Sequence, residues 1–158
     1  MPDGCIIALK NNGKERIPMK RSRKICLLAI CILLAAIFSV YSLPKLRAAV
    51  FVKLYHEQIE ETLSHGHGVP AEDAVIFGYD AVNSWDGTYP MTEFILQSRG
   101  DTYYGCYYSP EDVPLAFQNT PVILRPDAGD AWQWQAEGET YGSTSKITDC
   151  WYFFEASF

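Results

Sequence analysis

Nineteen consecutive residues, Ile25 to Leu43 (ICLLAICILLAAIFSVYSL), contain no charge, no proline and no glycine. That run limits what the chain can become more than any other feature. As a helix it would be about 28 Å long at about 1.5 Å per residue, against roughly 30 Å of bilayer hydrocarbon. A soluble domain would have to surround such a helix on every side. The 115 residues that follow would have to do this while building their own core. The expectation is a transmembrane helix over 25–43.

Charge divides the chain on either side of this run. Residues 1–24 carry seven bases (Lys10, Lys14, Arg16, Lys20, Arg21, Arg23, Lys24) against Asp3 and Glu15, whereas residues 44–158 carry six bases and seventeen acids. A basic cluster directly beside an apolar span is retained in the cytoplasm. The reading is therefore a single-pass protein of the cell membrane, with a basic cytoplasmic tail over 1–24 and an acidic domain over 44–158 outside. Lys45, Arg47 and Lys53 lie close to the far end of the span, so the asymmetry is not absolute. Two other readings export the same domain. One is a cleaved signal peptide, although the run exceeds the usual apolar core of such signals and offers only a weak small-residue site at Val40-Tyr41-Ser42. The other is lipoprotein processing at Cys31, where Ile30 stands in place of a small residue.

From Pro44 to about Ser64 the pattern is helical. Ala48, Val52, Tyr55, Ile59 and Leu63 recur at spacings of three and four on one face, while Glu57, Gln58, Glu60 and Glu61 fall elsewhere. Gly66, Gly68 and Pro70 supply a stop. Beyond them, short runs rich in Val, Ile, Phe, Tyr and Trp predict strands over 74–82, 90–98, 102–108, 131–137 and 146–156. Arg99-Gly100-Asp101 reads as a hairpin turn between the second and third. Four prolines between Ser109 and Asp130 keep most of that segment irregular, apart from one helical turn that Ser109-Pro110-Glu111-Asp112 can start. The predicted class is α+β: the transmembrane helix, then an amphipathic helix packed on an antiparallel sheet of about four to five strands. An apolar N-terminal helix leading into a sheet resembles the outline of a type IV pilin or pseudopilin. Those proteins carry glycine before the apolar run and glutamate within it, however, and here Lys24 precedes Ile25 and no acid occurs before Leu43.

Cys106 and Cys150 are the only cysteines of the exported part; Cys5, Cys26 and Cys31 lie in the tail and the span. In an oxidising compartment an even count favours a Cys106–Cys150 disulfide, expected to stabilise by about 2–4 kcal/mol. The alternative is two buried thiols that never meet. His56, His65 and His67, with Glu57, Glu60 and Glu61 nearby, offer imidazole and carboxylate ligands for a first-row metal. Without an established motif, the same residues also fit the solvated end of a helix. Arg99-Gly100-Asp101 and Asp127-Ala128-Gly129-Asp130 have the composition of plain turns. No GxSxG elbow or phosphate loop occurs, and no cofactor is implied. The acidity of the exported part argues against nucleic acid as a partner.

The aromatics carry the remaining signal: nine tyrosines, four tryptophans and seven phenylalanines between residues 44 and 158. Alternation along strands puts Tyr104, Cys106 and Tyr108 on one face. If Cys106 faces Cys150, then Cys150, Tyr152 and Phe154 join them. Tyr103, Tyr107, Trp151 and Phe153 are left on the opposite face, where they can bind a sugar, a peptide or a protein strand. The alternative is that both faces are buried, one under the helix and the other under the Pro-rich segment. The functional expectation is a membrane-tethered, non-catalytic interaction domain whose partners are the lipid bilayer and an envelope or membrane protein. A metal-dependent or hydrolytic enzyme and a structural subunit of an envelope assembly are the alternatives.

Overall fold

The computed structural model describes residues 19–65 and 78–158. The tail up to residue 18, His67, the stop over 66–70 and positions 74–77 of the first predicted strand lie outside the described residues. The chain divides after Ile37 into two compact units, each described by itself.

Helix α1 (Met19–Ser42) contains most of the apolar run and starts within the basic cluster. Of the helix expected over 25–43, α1 covers 25–42 without a break, and Leu43 leaves it with φ −109° and ψ 98°. Its neighbour explains this: Pro44 crowds the preceding residue out of the α region. Among the described residues no single helix is long and apolar enough to cross a membrane. Helix α2 (Pro44–Ser64) then begins on that proline, whose missing N–H costs nothing at the first turn. It ends as predicted, with the His65 N–H donating to the Glu61 carbonyl at 3.3 Å.

The rest is one antiparallel sheet of seven strands rather than four to five. They are β1 (Ala81–Trp85), β2 (Met91–Arg99), β3 (Thr102–Tyr108), β4 (Arg125–Pro126), β5 (Ala131–Gln135), β6 (Tyr141–Thr148) and β7 (Trp151–Ser157), in the spatial order β1-β2-β3-β7-β6-β5-β4. The larger count has two sources. The predicted strand over 146–156 is in fact two, folded back at Asp149-Cys150, with Cys150 in the left-handed region at φ 62°. The two-residue β4 is too short to leave a pattern in the sequence.

Each face of the sheet carries a covering layer over its central strands. On one, α2 packs on β2, β3 and β7, burying Ala48, Phe51, Val52 and Ile59 with Phe94, Leu96, Cys106, Trp151 and Phe153. The Phe51 ring lies 5.4 Å from that of Phe94, which lies 5.9 Å from that of Trp151. Each large side chain fully withdrawn from water there contributes about 1.5–3 kcal/mol. On the other face the Pro-rich segment folds down with Leu115, Ala116 and Phe117 buried against Ile95, Tyr107, Tyr152 and Phe154. Tyr107 anchors it: its hydroxyl accepts from the Leu115 N–H at 2.7 Å, donates to the Leu115 carbonyl at 3.1 Å and meets Thr144 Oγ1 at 3.1 Å. Gly105 makes this layer possible, because a β-carbon there would collide with the Phe94 carbonyl oxygen and the Phe154 ring. The helical turn expected at Ser109 is a hydrogen-bonded turn, not a helix, with Asp112 N–H donating to the Ser109 carbonyl at 2.9 Å.

Candidate functional site

The aromatic binding face expected from the sequence does not exist. Cys106 stands opposite Phe153, and Tyr108 opposite Trp151, so Trp151 and Phe153 share the α2 face with Tyr104 and Tyr108. Tyr103 and Tyr107 share the other face with Tyr152 and Phe154. The turn at Asp149-Cys150 causes this exchange, since moving pairing by one residue moves every side chain to the opposite face. Tyr107, Trp151 and Phe153 are buried and Tyr103 is half-buried, stacked on Phe117 at 5.8 Å. Trp151 uses its indole N–H on Glu60 Oε1 at 2.7 Å, tying α2 to β7.

The cysteine and histidine expectations meet a similar correction. Cys106 and Cys150 are free thiols; Cys106 is fully buried in β3, whereas Cys150 occupies the turn beside Ser109, whose N–H donates to the Cys150 carbonyl at 2.8 Å. With Cys106 facing Phe153, the register that would set the sulfurs opposite each other is absent. Burial pushes both thiols up, Cys106 well above the usual range, with Glu93 adding to the effect at Cys106 and Asp112 at Cys150. Neither is prepared as a nucleophile. His56 Nδ1 lies 3.0 Å from the Val52 carbonyl and His65 Nδ1 lies 2.7 Å from that of Glu61. A carbonyl only accepts, so both nitrogens carry the proton and serve the helix's own backbone. His67 lies outside the described residues, and among those described no three His, Cys, Asp or Glu side chains are grouped to hold a metal ion.

The two turn sequences also have structural partners. Arg99 donates from Nη2 to the Ser42 carbonyl at 3.1 Å. Asp127 accepts from Gln133 Nε2 at 2.8 Å, which holds its carboxyl below the ordinary range.

What remains open is the part of the sheet that α2 does not reach. Beyond β7 the α2 face bears two cross-strand rows of polar side chains, Gln133 with Ser143 and Glu155, and Gln135 with Tyr141 and Ser157. They line a cleft of about 880 Å³ with Ile123 and Arg125 at its rim. Ile123 is 83% exposed and Tyr141 57%. Between these rows the Trp134 ring turns to the opposite face, where it packs with Tyr152 and Phe154 and lies so close over Gly142 that any β-carbon there would strike it. Its indole N–H is buried and has no hydrogen-bond partner among the described residues, a cost native structures rarely leave standing. The lining contains amides, hydroxyls, carboxylates and one guanidinium, but no His, Cys or Lys. Such a surface can exchange hydrogen bonds with a polar chain; it offers no nucleophile paired with a base. Sequence reasoning missed it because Tyr141-Gly142-Ser143-Thr144-Ser145 has too few apolar residues to read as a strand.

One buried charge also escaped the sequence reading. Glu93 in β2 is fully buried, accepting from the Gln118 N–H at 2.9 Å and from Asn83 Nδ2 at 3.2 Å. Loss of water pushes its carboxyl up, against the pull of those two donors. It fastens the Pro-rich segment at Gln118, whose φ is 55°. The chain matches no protein-family model, no curated protein and no solved structure.

Proposed function

We propose that this is a single-pass membrane protein whose α+β domain stands outside the cytoplasm and works as a non-catalytic interaction module, holding an envelope or membrane protein at the cleft beside β5 and β6. One observation carries the anchor: Ile25, Leu27, Leu28, Ile32, Leu33 and Leu34 of α1 are each about 60% exposed. A row of bare leucine and isoleucine is unfavourable in water and favourable in hydrocarbon. The uncharged part of α1, 25–42, would be about 27 Å long, and lysines at its basic end can reach the interface. Binding rather than catalysis is favoured by a cleft rich in amides and hydroxyls and by thiols pushed away from reactivity.

A reporter fused after Phe158 is expected to be active outside the cytoplasm, with Met1 retained in the mature chain. A mature N-terminus near Leu43 would replace the anchor by a cleaved export signal. For the cleft, a photo-crosslinking residue at Tyr141 in native membranes should give a discrete protein adduct that Ser84, exposed on edge strand β1, does not give. Identical adducts from both positions would remove the cleft from the proposal.

A further inference from the structure

Helix α2 has two apolar stripes, and the core uses one. Ala48, Phe51, Val52 and Ile59 face the sheet. On the opposite side Leu46, Val50 and Leu54 follow one another at spacings of four, and Leu43 stands just before the helix. Leu43 is 55% exposed, Leu46 39% and Leu54 53%. Charge changes along the same line. From Pro44 to Leu54 the helix has bases and no acid, with Lys45 and Lys53 exposed, whereas Glu57 and Glu61 occupy the outward positions after Leu54. Leucine and lysine together, ending where acids begin, describe a surface that suits an anionic lipid interface and then leaves it. Only Leu43 separates this segment from α1.

We infer that the first three turns of α2 lie in the headgroup layer of the bilayer, with Leu43, Leu46 and Leu54 at the acyl boundary and Lys45 and Lys53 against lipid phosphates. The inference rests on the anchor reading of α1 and goes further: the domain is seated on the membrane by its own helix. A second copy or a protein partner would find the apolar stripe equally suitable. The confinement of bases to these turns, and the covalent proximity of the apolar helix, favour lipid.

The test uses the full chain, with an environment-sensitive fluorescent amino acid at Leu46, Leu54 or Glu61, in vesicles of phosphatidylcholine with or without phosphatidylglycerol. Carbonate resistance reports the anchor separately. In carbonate-resistant samples containing phosphatidylglycerol, the probes at Leu46 and Leu54 should be blue-shifted and quenched several-fold by brominated lipid, while Glu61 stays water-exposed. Lys45→Glu with Lys53→Glu should abolish most of that quenching and leave carbonate resistance unchanged. Equal, water-like emission at Leu46 and Glu61 in resistant samples overturns the seating but leaves the anchor. Shielding at Leu46 that depends on protein concentration and not on brominated lipid assigns the stripe to a second copy and also overturns it. A chain extracted by carbonate overturns the anchor itself, and the seating with it.

Discussion

Glu93 couples the middle of the sheet to the segment lying over it. Its carboxyl is raised above the ordinary value of about 4.5, first by burial and against the donors Gln118 and Asn83. The folded protein therefore binds this proton more tightly than the unfolded chain does. Stability from this group is fully present below pH 4.5 and is lost as pH rises through the folded value. Glu93→Gln keeps an acceptor for Gln118 and carries no charge. In urea unfolding followed from pH 4 to 8 it should lack this decline and gain on the wild type as pH rises. Two neighbours offer sharper losses. Tyr107→Phe leaves the Leu115 N–H without its acceptor inside the core, and should lower unfolding free energy by about 1–3 kcal/mol. Gly105→Ala drives a methyl into the Phe94 carbonyl and the Phe154 ring, with an expected cost of about 1–3 kcal/mol in the same assay. None of these roles was legible beforehand. An isolated Glu among Thr, Phe and Ile reads as the solvent-facing member of an alternation, and only the covering segment turns it inward.

At the scale of elements, local signals were readable wherever a residue limits its own backbone. Strand β3 occupies the predicted 102–108, and α2 runs from Pro44 to Ser64 as its periodicity requires. The failure at 146–156 has a physical origin. Asp149-Cys150 contains no glycine, asparagine or proline and only Asp149 favours a turn, yet Cys150 adopts the left-handed conformation that closes β6 on β7. One unread turn reversed the parity of β7, and with it both the disulfide and the aromatic face. Cys150→Gly removes the strain of a side chain at φ 62° and should raise stability by about 1 kcal/mol, whereas loss of a disulfide cysteine would lower it. Alkylation followed by mass spectrometry, without reductant, should find Cys150 modified in the folded protein and Cys106 modified only after unfolding.

For the molecule as a whole, the sequence correctly indicated one helix on an antiparallel sheet and a Pro-rich segment that is mostly irregular, with only a 3-10 turn at Phe117–Asn119 and the two-residue β4 in it. It could not show that this segment covers the second face, because Leu115, Ala116 and Phe117 are too few to form a periodic pattern. Nor could it locate the cleft, which comes from a difference in reach: α2 covers three strands of a seven-stranded sheet. Because Gln133 and Gln135 are exposed, replacing both by Ala, with the photo-crosslinking residue kept at Tyr141, should shift thermal unfolding by little, within about 0.5 kcal/mol per site. The same variant should lose the adduct captured in native membranes. A large loss of stability would instead make these side chains part of the scaffold.

The position of β7 has a consequence for how the protein is made. It follows every other strand in the chain, yet it lies between β3 and β6 at the middle of the sheet. Until synthesis has passed Ser157, the β1–β3 and β4–β6 ladders have no common strand, and β3 and β6 each expose an unpaired edge. A nascent chain paused before Trp151 therefore remains a pair of sticky half-sheets open to proteases and chaperones. Folding of the domain becomes a late event that registers the arrival of its final strand.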